Sequence, residues 1–416
     1  MRPADRDRAR FEDTVREHSG RILAALIGRY RDFGLAEDSL QDAWLLAAER
    51  WPVDGWPRDP AAWVYTAASR RAIDHLRRES SRQARHERAD ADDRGRELDE
   101  LERREERWHS GIDDDRLRLI FTCCHPALGL EGRIALTLRS VAWLTTDEIA
   151  AAFGVPTATM AQRIVRAKNK IKSAGIPYRV PLGHELPDRL DGVLGVVYLV
   201  FNEAYLSARA AEPLRVDLAE EAIRLGRQLV ELMPDEPEVL GLLALMLVHH
   251  ARSAARFDRA GDLVLLEHQD RSQWDAELIA EGSTLVERAL RRRTIGSYQL
   301  QAAIAALHSQ APSFEATDWA QIEQLYGVLA RVDPSPVVAL NRAVAIGFAD
   351  GAEAGLTALD AVDDDLPQAH LLASARAEFL LRAGRRDEAS AQFRLALELV
   401  GSDAERRHLE RRLASV

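Results

Sequence analysis

The sequence predicts an all-α fold, because three of its features favour helices. Apolar residues recur at spacings of three and four, Ala and Leu dominate, and alternating β-branched runs bounded by turns are lacking. A chain of 416 residues is long for one domain. We therefore expect two small helical domains separated by a linker, followed by a long helical C-terminal part.

Composition and hydropathy exclude several classes of protein. No run approaches the roughly 18 apolar residues of a membrane helix, and the charged N-terminus has no apolar core of a secretory signal behind it. The two cysteines, Cys123 and Cys124, are neighbours, which argues against a disulfide framework. We expect a cytoplasmic protein without a membrane contact.

The net charge of −11 conceals a basic segment. From Leu186 onward there are 24 Arg and 36 Asp plus Glu, so the acidity belongs to the C-terminal part. Residues 133–173 instead carry seven basic and two acidic residues, including all three lysines, Lys168, Lys170 and Lys172. A basic patch on an acidic protein favours nucleic-acid binding.

The first domain, residues 8–79, contains two helices of different character. The stretch LAEDSLQDAWLLAAERWP places its apolar residues on one face and its polar residues outside. The apolar face holds Leu40, Ala43, Trp44, Ala47 and Trp51, and the outer face holds Asp38, Gln41, Asp42 and Glu49. The following stretch, DPAAWVYTAASRRAIDHLRRESSR, opens with a proline and ends in arginines. Residues 80–112 then form a charged linker almost without apolar anchors.

The second domain, residues 113–176, has the sequence form of a helix-turn-helix. Thr145 or Thr146 can cap a first helix with Glu148 behind it, Gly154 permits a left-handed turn, and Pro156 opens a longer second helix. The packing face of that helix holds Met160, Ile164, Ala167 and Ile171.

The opposite face of the second helix carries hydrogen-bond donors and no acid. Such a face can enter the major groove, although a helical hairpin with a basic outer face would look the same. The predicted DNA-binding residues are Thr157, Thr159, Gln162, Arg163, Arg166, Lys168, Lys170 and Lys172. Among them, Lys168 and Lys172 are placed to contact phosphates rather than bases.

Residues 187–416 are predicted to form stacked helical hairpins in an α-solenoid. The segment ARAEFLLRAGRRDEASAQFRLALELV resembles a tetratricopeptide repeat, with Ala377, Gly384, Ala389 and Ala396 at its small-residue positions. Polar residues embedded in these apolar helices either pair internally or line a regulatory groove. These candidates are Asn202, Glu203, Gln269, Asp270, Arg271, Trp274, Gln301, His308, Asp318, Asn341 and Arg342.

Metal and enzyme sites are not indicated. Adjacent cysteines in CCHP cannot both face one tetrahedral ion comfortably, so Cys123 and Cys124 are expected to fill a helix core. No nucleophile with its base and no Gly-rich phosphate loop is apparent. We expect no metal, no cofactor and no enzymatic activity.

The motifs of the first 176 residues together resemble the extracytoplasmic-function group of bacterial RNA polymerase sigma factors, in the subgroup with a long helical C-terminal extension. Residues 8–79 would be sigma region 2 and residues 113–176 sigma region 4. The resemblance extends into the C-terminal part through VVYLVFNEAY, HQDRSQWD, YQLQAAIAALH, TDWAQIEQLY and VALNRAVA.

This resemblance implies that the chain binds the RNA polymerase core and promoter DNA. Asp38, Gln41 and Asp42 would contact the core enzyme, and the helix-turn-helix would bind the −35 element. The −10 element would be bound by Trp63, Arg70, Arg71, Arg77 and Arg78. The group usually has Asn at the position of Arg70, which leaves the −10 base preference open.

The extension would regulate the factor by contacting the sigma regions, or by binding a small protein or a ligand. Two other functions remain open at this stage. One is a ligand-sensing helix-turn-helix regulator that never engages core polymerase. The other is a helical enzyme using the neighbourhood of Glu203, Asp270 and His308.

Overall fold

The structure is a computed structural model that describes residues 3–83, 112–153, 155–207, 216–258, 262–362, 369–401 and 403–416. Within these ranges the chain is all-α, as predicted, and its sole β feature is an isolated bridge between Phe257 and Leu263. No described helix is long and apolar enough to cross a membrane. The chain divides into two compact units, Met1–Val196 and Val197–Val416.

The first unit contains two helical bundles. Helices α1 to α3 pack against one another and form the α1–α3 bundle. Their bounds are α1 Pro3–Tyr30, α2 Phe33–Asp54 and α3 Pro60–Gln83. The α4–α7 bundle follows, with α4 Ile112–Cys123, α5 Leu130–Ser140, α6 Thr146–Ala152 and α7 Thr157–Ser173. Most of the predicted linker, residues 84–111, lies outside the described residues.

The helices of the second unit form successive pairs that pack against their sequence neighbours. This is the stacked arrangement expected from hairpins that cannot bury their apolar faces alone. The division between the units falls within α8, Leu186–Ser207. The later helices are α9 Val216–Leu232, α10 Pro237–His250, α11 Ala276–Leu290, α12 Ser297–Gln310, α13 Trp319–Val332, α14 Pro336–Ala349, α15 Ala352–Leu359, α16 Ala369–Arg382, α17 Arg386–Leu399 and α18 Asp403–Ala414.

Small residues allow close packing of α16 and α17, the hairpin that resembles a tetratricopeptide repeat in sequence. Ala377 on α16 and both Ala389 and Ala396 on α17 are fully buried, and these two helices pack against each other. Gly384 joins them with a φ of 78°, a conformation that favours glycine. The hairpin is therefore present, and its relation to tetratricopeptide repeats stays a prediction.

Candidate nucleic-acid interface

Helix α2 presents a polar outer face around an exposed leucine. Asp38, Gln41, Asp42 and Glu49 are all exposed, as the sequence predicted. The residues on the opposite face are buried: Leu40, Ala43, Trp44, Ala47 and Trp51. On the outer face, Leu45 is 65% exposed. This apolar side chain lies among acids and an amide, and the binding of the surface to another protein stays a prediction. We call Asp38, Gln41, Asp42, Leu45 and Glu49 the α2 patch.

Helix α3 exposes the four arginines predicted to lie near DNA. Arg70, Arg71, Arg77 and Arg78 are exposed on its C-terminal half, whereas Ala68, Ala72 and Ile73 are buried. Spacings of one, six and seven residues spread these guanidinium groups along one broad side of the helix. This side is a cationic surface suited to a nucleic-acid backbone.

The aromatic residues near those arginines form a packed cluster. Trp51 is buried and lies edge-on to Trp44 at 6.1 Å, to Trp63 at 5.6 Å and to Phe11 at 5.7 Å. It therefore cannot act as a stacking platform for a base. Trp63 is partly buried at the cluster's margin, and Arg10 lies 4.1 Å over the ring of Trp56. The sequence placed Trp51 on the apolar face of α2, and its burial confirms that prediction.

Helices α6 and α7 start as the sequence predicted. Thr145, not Thr146, caps α6: its hydroxyl accepts from the backbone N–H of Glu148, and the Glu148 carboxylate accepts from the backbone N–H of Thr145 at 2.7 Å. This reciprocal capping box satisfies two otherwise orphaned donors. Helix α7 begins at Thr157, directly after Pro156. Gly154, predicted to make the turn, lies outside the described residues.

The two faces of α7 are separated as predicted. Met160, Ile164, Ala167 and Ile171 are buried. Thr157, Gln162, Arg166, Lys170 and Lys172 are exposed, and Thr159, Arg163 and Lys168 are half-buried. Arg163 also lies 3.2 Å from the carboxylate of Glu131 on α5. The α7 outer face is thus basic and donor-rich, and its binding to DNA stays a prediction.

Lys168 is already engaged by the protein. Its ammonium group pairs with the carboxylate of Glu37 on α2, and the guanidinium of Arg139 lies 3.6 Å from the same carboxylate. Only 8% of the Glu37 side chain and 22% of the Lys168 side chain are exposed. To contact a phosphate, Lys168 would first have to leave Glu37.

Sequence reasoning missed Glu37, although a signal was present. Glu37 precedes Leu40 and Trp44 by three and seven residues and so belongs to the apolar face of α2. An acid on a packing face requires a cationic partner, because an unpaired buried carboxylate is costly. The position of that partner, on α7, could not be read from the sequence.

Two further contacts join the α1–α3 bundle to the α4–α7 bundle. The buried hydroxyl of Tyr178 contacts the carbonyl oxygens of Ala24 at 2.7 Å and Asp115 at 3.0 Å, and burial raises its pKa well above the usual value. A Cβ atom added to Gly20 on α1 would lie 2.4 Å from the carbonyl oxygen of Val141. A charged linker lies between the two bundles in the sequence, yet the bundles pack as parts of one compact unit.

Both cysteines lie in the core of this unit, as expected. Cys123 and Cys124 are free thiols buried at the end of α4. Burial raises the pKa of Cys124 to about 11, and its sulfur lies 3.4 Å from the hydroxyl of Thr137. Among the described residues, no group of three or more His, Cys, Asp or Glu side chains is arranged to hold a metal ion.

In the second unit, some predicted regulatory residues only support the local structure. Asp270 caps a short 3₁₀ segment by accepting from Ser272, and Asp318 caps α13 by accepting from Gln321. Arg342 pairs with Glu323 at 2.9 Å. These three side chains have the internal partners that one of the two sequence interpretations anticipated.

The neighbouring Gln269 and Arg271 tie a loop to the helices. Gln269 donates to the carbonyl of Val264 at 3.0 Å. Arg271 donates to the carbonyls of His308 and Ala311 at 2.6 and 2.9 Å, and its guanidinium lies 4.4 Å over the ring of Trp274. The loop that carries Trp274 is thereby fixed against the end of α12.

Four other candidates line one cavity of about 340 Å³ within the second unit. They are Trp274, Gln301, His308 and Asn341. Asn202 does not line the cavity, but its side chain bonds Tyr198, which does. The side chain of Glu203 lies outside the described residues. The structure thus brings together residues that the sequence only marked as unusual, and it adds Tyr198, Arg252 and Tyr326.

Comparison with protein families gives two matches. Residues 14–82 match sigma-70 region 2, which covers the α1–α3 bundle with its α2 patch and exposed arginines. Residues 189–290 match a family of unknown function, DUF6596, which begins in α8 and ends in α11. Residues 14–82 are therefore similar in sequence to sigma-70 region 2. Residues 189–290, in the C-terminal extension, match a different family.

Among curated proteins, an uncharacterized protein of Rhizobium meliloti (strain 1021) is 42% identical over 395 residues, which is 94% of this chain and 92% of that protein. The probable ECF RNA polymerase sigma factor SigI of Mycobacterium tuberculosis is 27% identical over 190 residues, 42% of this chain and 59% of that protein. The chain therefore belongs to the family of the Rhizobium meliloti protein, and its N-terminal part is a sigma-70 region 2.

Proposed function

We propose that this protein is an RNA polymerase sigma factor of the extracytoplasmic-function type, which acts in the cytoplasm and is regulated by its C-terminal extension. The match of residues 14–82 to sigma-70 region 2 carries this proposal, and the distant similarity to SigI supports it. The protein directs initiation by binding, and the catalysis belongs to the polymerase core. The sigma factor family is itself non-enzymatic.

Each exposed surface of the first unit fits one role in this function. The α2 patch binds the core enzyme through Leu45, with Asp38 and Asp42 at its rim. The arginines of α3 hold the −10 region, where an unpaired DNA strand requires a cationic surface. The outer face of α7 binds the −35 element through Gln162 and Arg166, with Lys170 and Lys172 on phosphates.

The acidic second unit is proposed to regulate these contacts, through the sigma regions, a small protein partner or a ligand. Its net negative charge favours interaction with basic surfaces and disfavours direct contact with DNA. The sigma factor is preferred to a helical enzyme because residues 14–82 match sigma-70 region 2. The surface acids Glu231 and Glu410 of this unit provide controls for the test.

The test is run-off transcription with purified core polymerase on a pool of genomic DNA fragments. We expect the full chain to give discrete transcripts and the D38N/D42N variant to lose at least ten-fold in transcription and in core affinity. The control E231Q/E410Q removes two exposed acids elsewhere and should leave both unchanged. DNA binding without any binding to core polymerase would instead identify a ligand-sensing regulator.

The role of the extension is tested by a chain shortened after Ser207, the last residue of α8. Transcripts from the full chain alone would make the second unit an activator, and transcripts from the shortened chain alone would make it an inhibitor. Equal transcription by both would contradict a regulatory role.

A further inference from the structure

The segment between α10 and α11 crosses the second unit without forming an α-helix. We call its residues 262–274 the strap, which contains two short 3₁₀ turns. Two of its side chains, Leu266 and Trp274, line the cavity of about 340 Å³, so the strap forms one wall of that cavity. Helical hairpins in a stack are held by their packing on neighbouring hairpins. The strap is held instead by individual side-chain contacts, and these differ between its two ends.

The end of the strap that leads into α11 is anchored by burial and by backbone acceptors. Trp274 is only 8% exposed. Arg271 donates to the carbonyls of His308 and Ala311 at 2.6 and 2.9 Å. Directly after the strap, the backbone N–H of Asp275 donates to the carbonyl of the residue that caps the end of α10, at 2.8 Å. These contacts do not depend on a pair of opposite charges, so salt should affect them little.

The opposite end of the strap is held by ion pairs to the last helices of the chain. The carboxylate of Asp262 accepts from Arg407 at 2.5 Å and from Arg411, both on α18. Glu267 pairs with Arg382 at the end of α16 at 3.2 Å. The three arginine side chains are between 44% and 52% exposed. Exposed ion pairs contribute little individually and are screened by salt, so this end is the more easily released.

The latched end is also the part of the strap that carries Leu266 against the cavity. Leu266 is half-buried, directly precedes Glu267 and follows Asp262 by four positions. Release of the two acids would therefore free Leu266 to leave the cavity wall, while Trp274 would stay in place. Segments held mainly by exposed polar contacts open at a lower free-energy cost than the helices around them.

We infer that the strap is a hinged flap on the cavity, latched shut by the ion pairs of Asp262 and Glu267 and hinged at Arg271 and Trp274. Helix α18 supplies two of the three arginines of the latch, so the C-terminal helix sets how often the cavity opens to solvent. This gating is a property of the second unit and is independent of the function proposed above. It is measured with the full chain alone, without polymerase or DNA.

Amide hydrogen exchange of the full chain, read by mass spectrometry on the segments 263–269 and 271–276, tests the flap. R407Q/R411Q should accelerate exchange about ten-fold in the first segment, where Val264 and His268 donate backbone hydrogen bonds. The second segment should change by less than about two-fold, because the hinge keeps its anchors. Raising the salt concentration from about 0.05 M to about 0.5 M should accelerate the first segment in the parent protein and much less in the variant.

A cysteine in the cavity wall reads access to the cavity itself. Ala305 lines the cavity and is only 9% exposed, and the native Cys123 and Cys124 are buried. Labelling of the A305C thiol by N-ethylmaleimide should be slow in the parent protein. It should become about five-fold faster when R407Q/R411Q is added, because the flap is open for more of the time.

Two further variants make the test specific. E267Q releases the other ion pair and should accelerate exchange of the first segment several-fold, which tests the latch even if R407Q/R411Q proves unstable. R386Q/R394Q is the matched control, because it removes two exposed arginines from the neighbouring helix α17 and should change neither exchange nor labelling. Equal acceleration of both segments, unchanged exchange in R407Q/R411Q and E267Q, or the same acceleration in R386Q/R394Q would overturn the proposal.

Discussion

Glu37 on α2 and Lys168 on α7 form an ion pair that joins the sigma region 2 bundle to the basic helix proposed to bind DNA. The two residues are 131 positions apart in sequence. Arg139 approaches the same carboxylate, so one buried acid serves two cations. Whether Lys168 can contact DNA therefore depends on how the two bundles pack against each other.

Replacing Glu37 with Gln should lower the free energy of unfolding by about 1–3 kcal/mol, because Lys168 and Arg139 would keep their burial without a counter-charge. The same change should raise affinity for DNA, since Lys168 no longer has to leave a carboxylate. Denaturant unfolding and fluorescence anisotropy measure the two effects. E131Q breaks the pair between Arg163 and the exposed Glu131 and should cost about 0.5 kcal/mol or less. Equal costs for both variants would contradict a buried Glu37 pair.

Gly20 tests the packing of the bundles without altering any charge. An alanine there would gain up to about 1 kcal/mol in helix propensity but would press against the Val141 carbonyl. We expect overpacking to dominate and G20A to lose about 1–2 kcal/mol of stability. G132A is the matched control, because its added Cβ would meet only the Ala167 methyl at 3.4 Å. Stabilisation by G20A would mean that α1 and the α4–α7 bundle do not pack closely in solution.

The three lysines should contribute unequally to the salt dependence of promoter binding. Each phosphate contact adds about 0.9 to the slope of log affinity against log salt. K170Q and K172Q remove exposed ammonium groups and should each reduce the slope by about one unit. K168Q should reduce it less, because Lys168 is paired with Glu37. All three together should reduce it by up to about three units, and an unchanged slope in the triple variant would exclude phosphate contacts by these lysines.

The capping box of α6 should be measurable by itself. T145A removes the hydroxyl that accepts from the Glu148 backbone and should lower the free energy of unfolding by about 1 kcal/mol. T146A changes the next residue, which lies inside the helix, and should cost less than about 0.5 kcal/mol. Urea unfolding of both variants gives the comparison. A larger loss in T146A would place the cap at Thr146 instead.

His308 should make the second unit less stable in acid. Its pKa is lowered to about 4 in the fold, from 6.5, so the unfolded chain binds the extra proton between these values and stability falls as pH falls through that window. The loss from this one group between pH 7.5 and pH 5 is about 2 kcal/mol. H308Q should lose correspondingly less over the same interval. Identical profiles for wild type and H308Q would refute the assignment.

The sequence by itself determined the local structure and much of the surface. Helical periodicity identified the buried faces that contain Leu40 and Met160, and the acid-free outer face of α7. The cap at Thr145 followed from short-range chemistry, because a capping residue and its partner lie three positions apart. The sigma region 2 was recognisable for the same reason, since its motifs are contiguous.

Only the tertiary structure decided which faces meet. Periodicity shows that a face is buried but not what it is buried against, so the pairing of Glu37 with Lys168 could not be predicted. The same applies to Tyr178, which bonds a carbonyl 154 residues away. The cavity is the clearest case, because Tyr198 on α8, Arg252 in the turn after α10 and Tyr326 on α13 meet only when the hairpins stack. Long-range packing sets these positions, and the sequence encodes it in the combined shapes of many side chains.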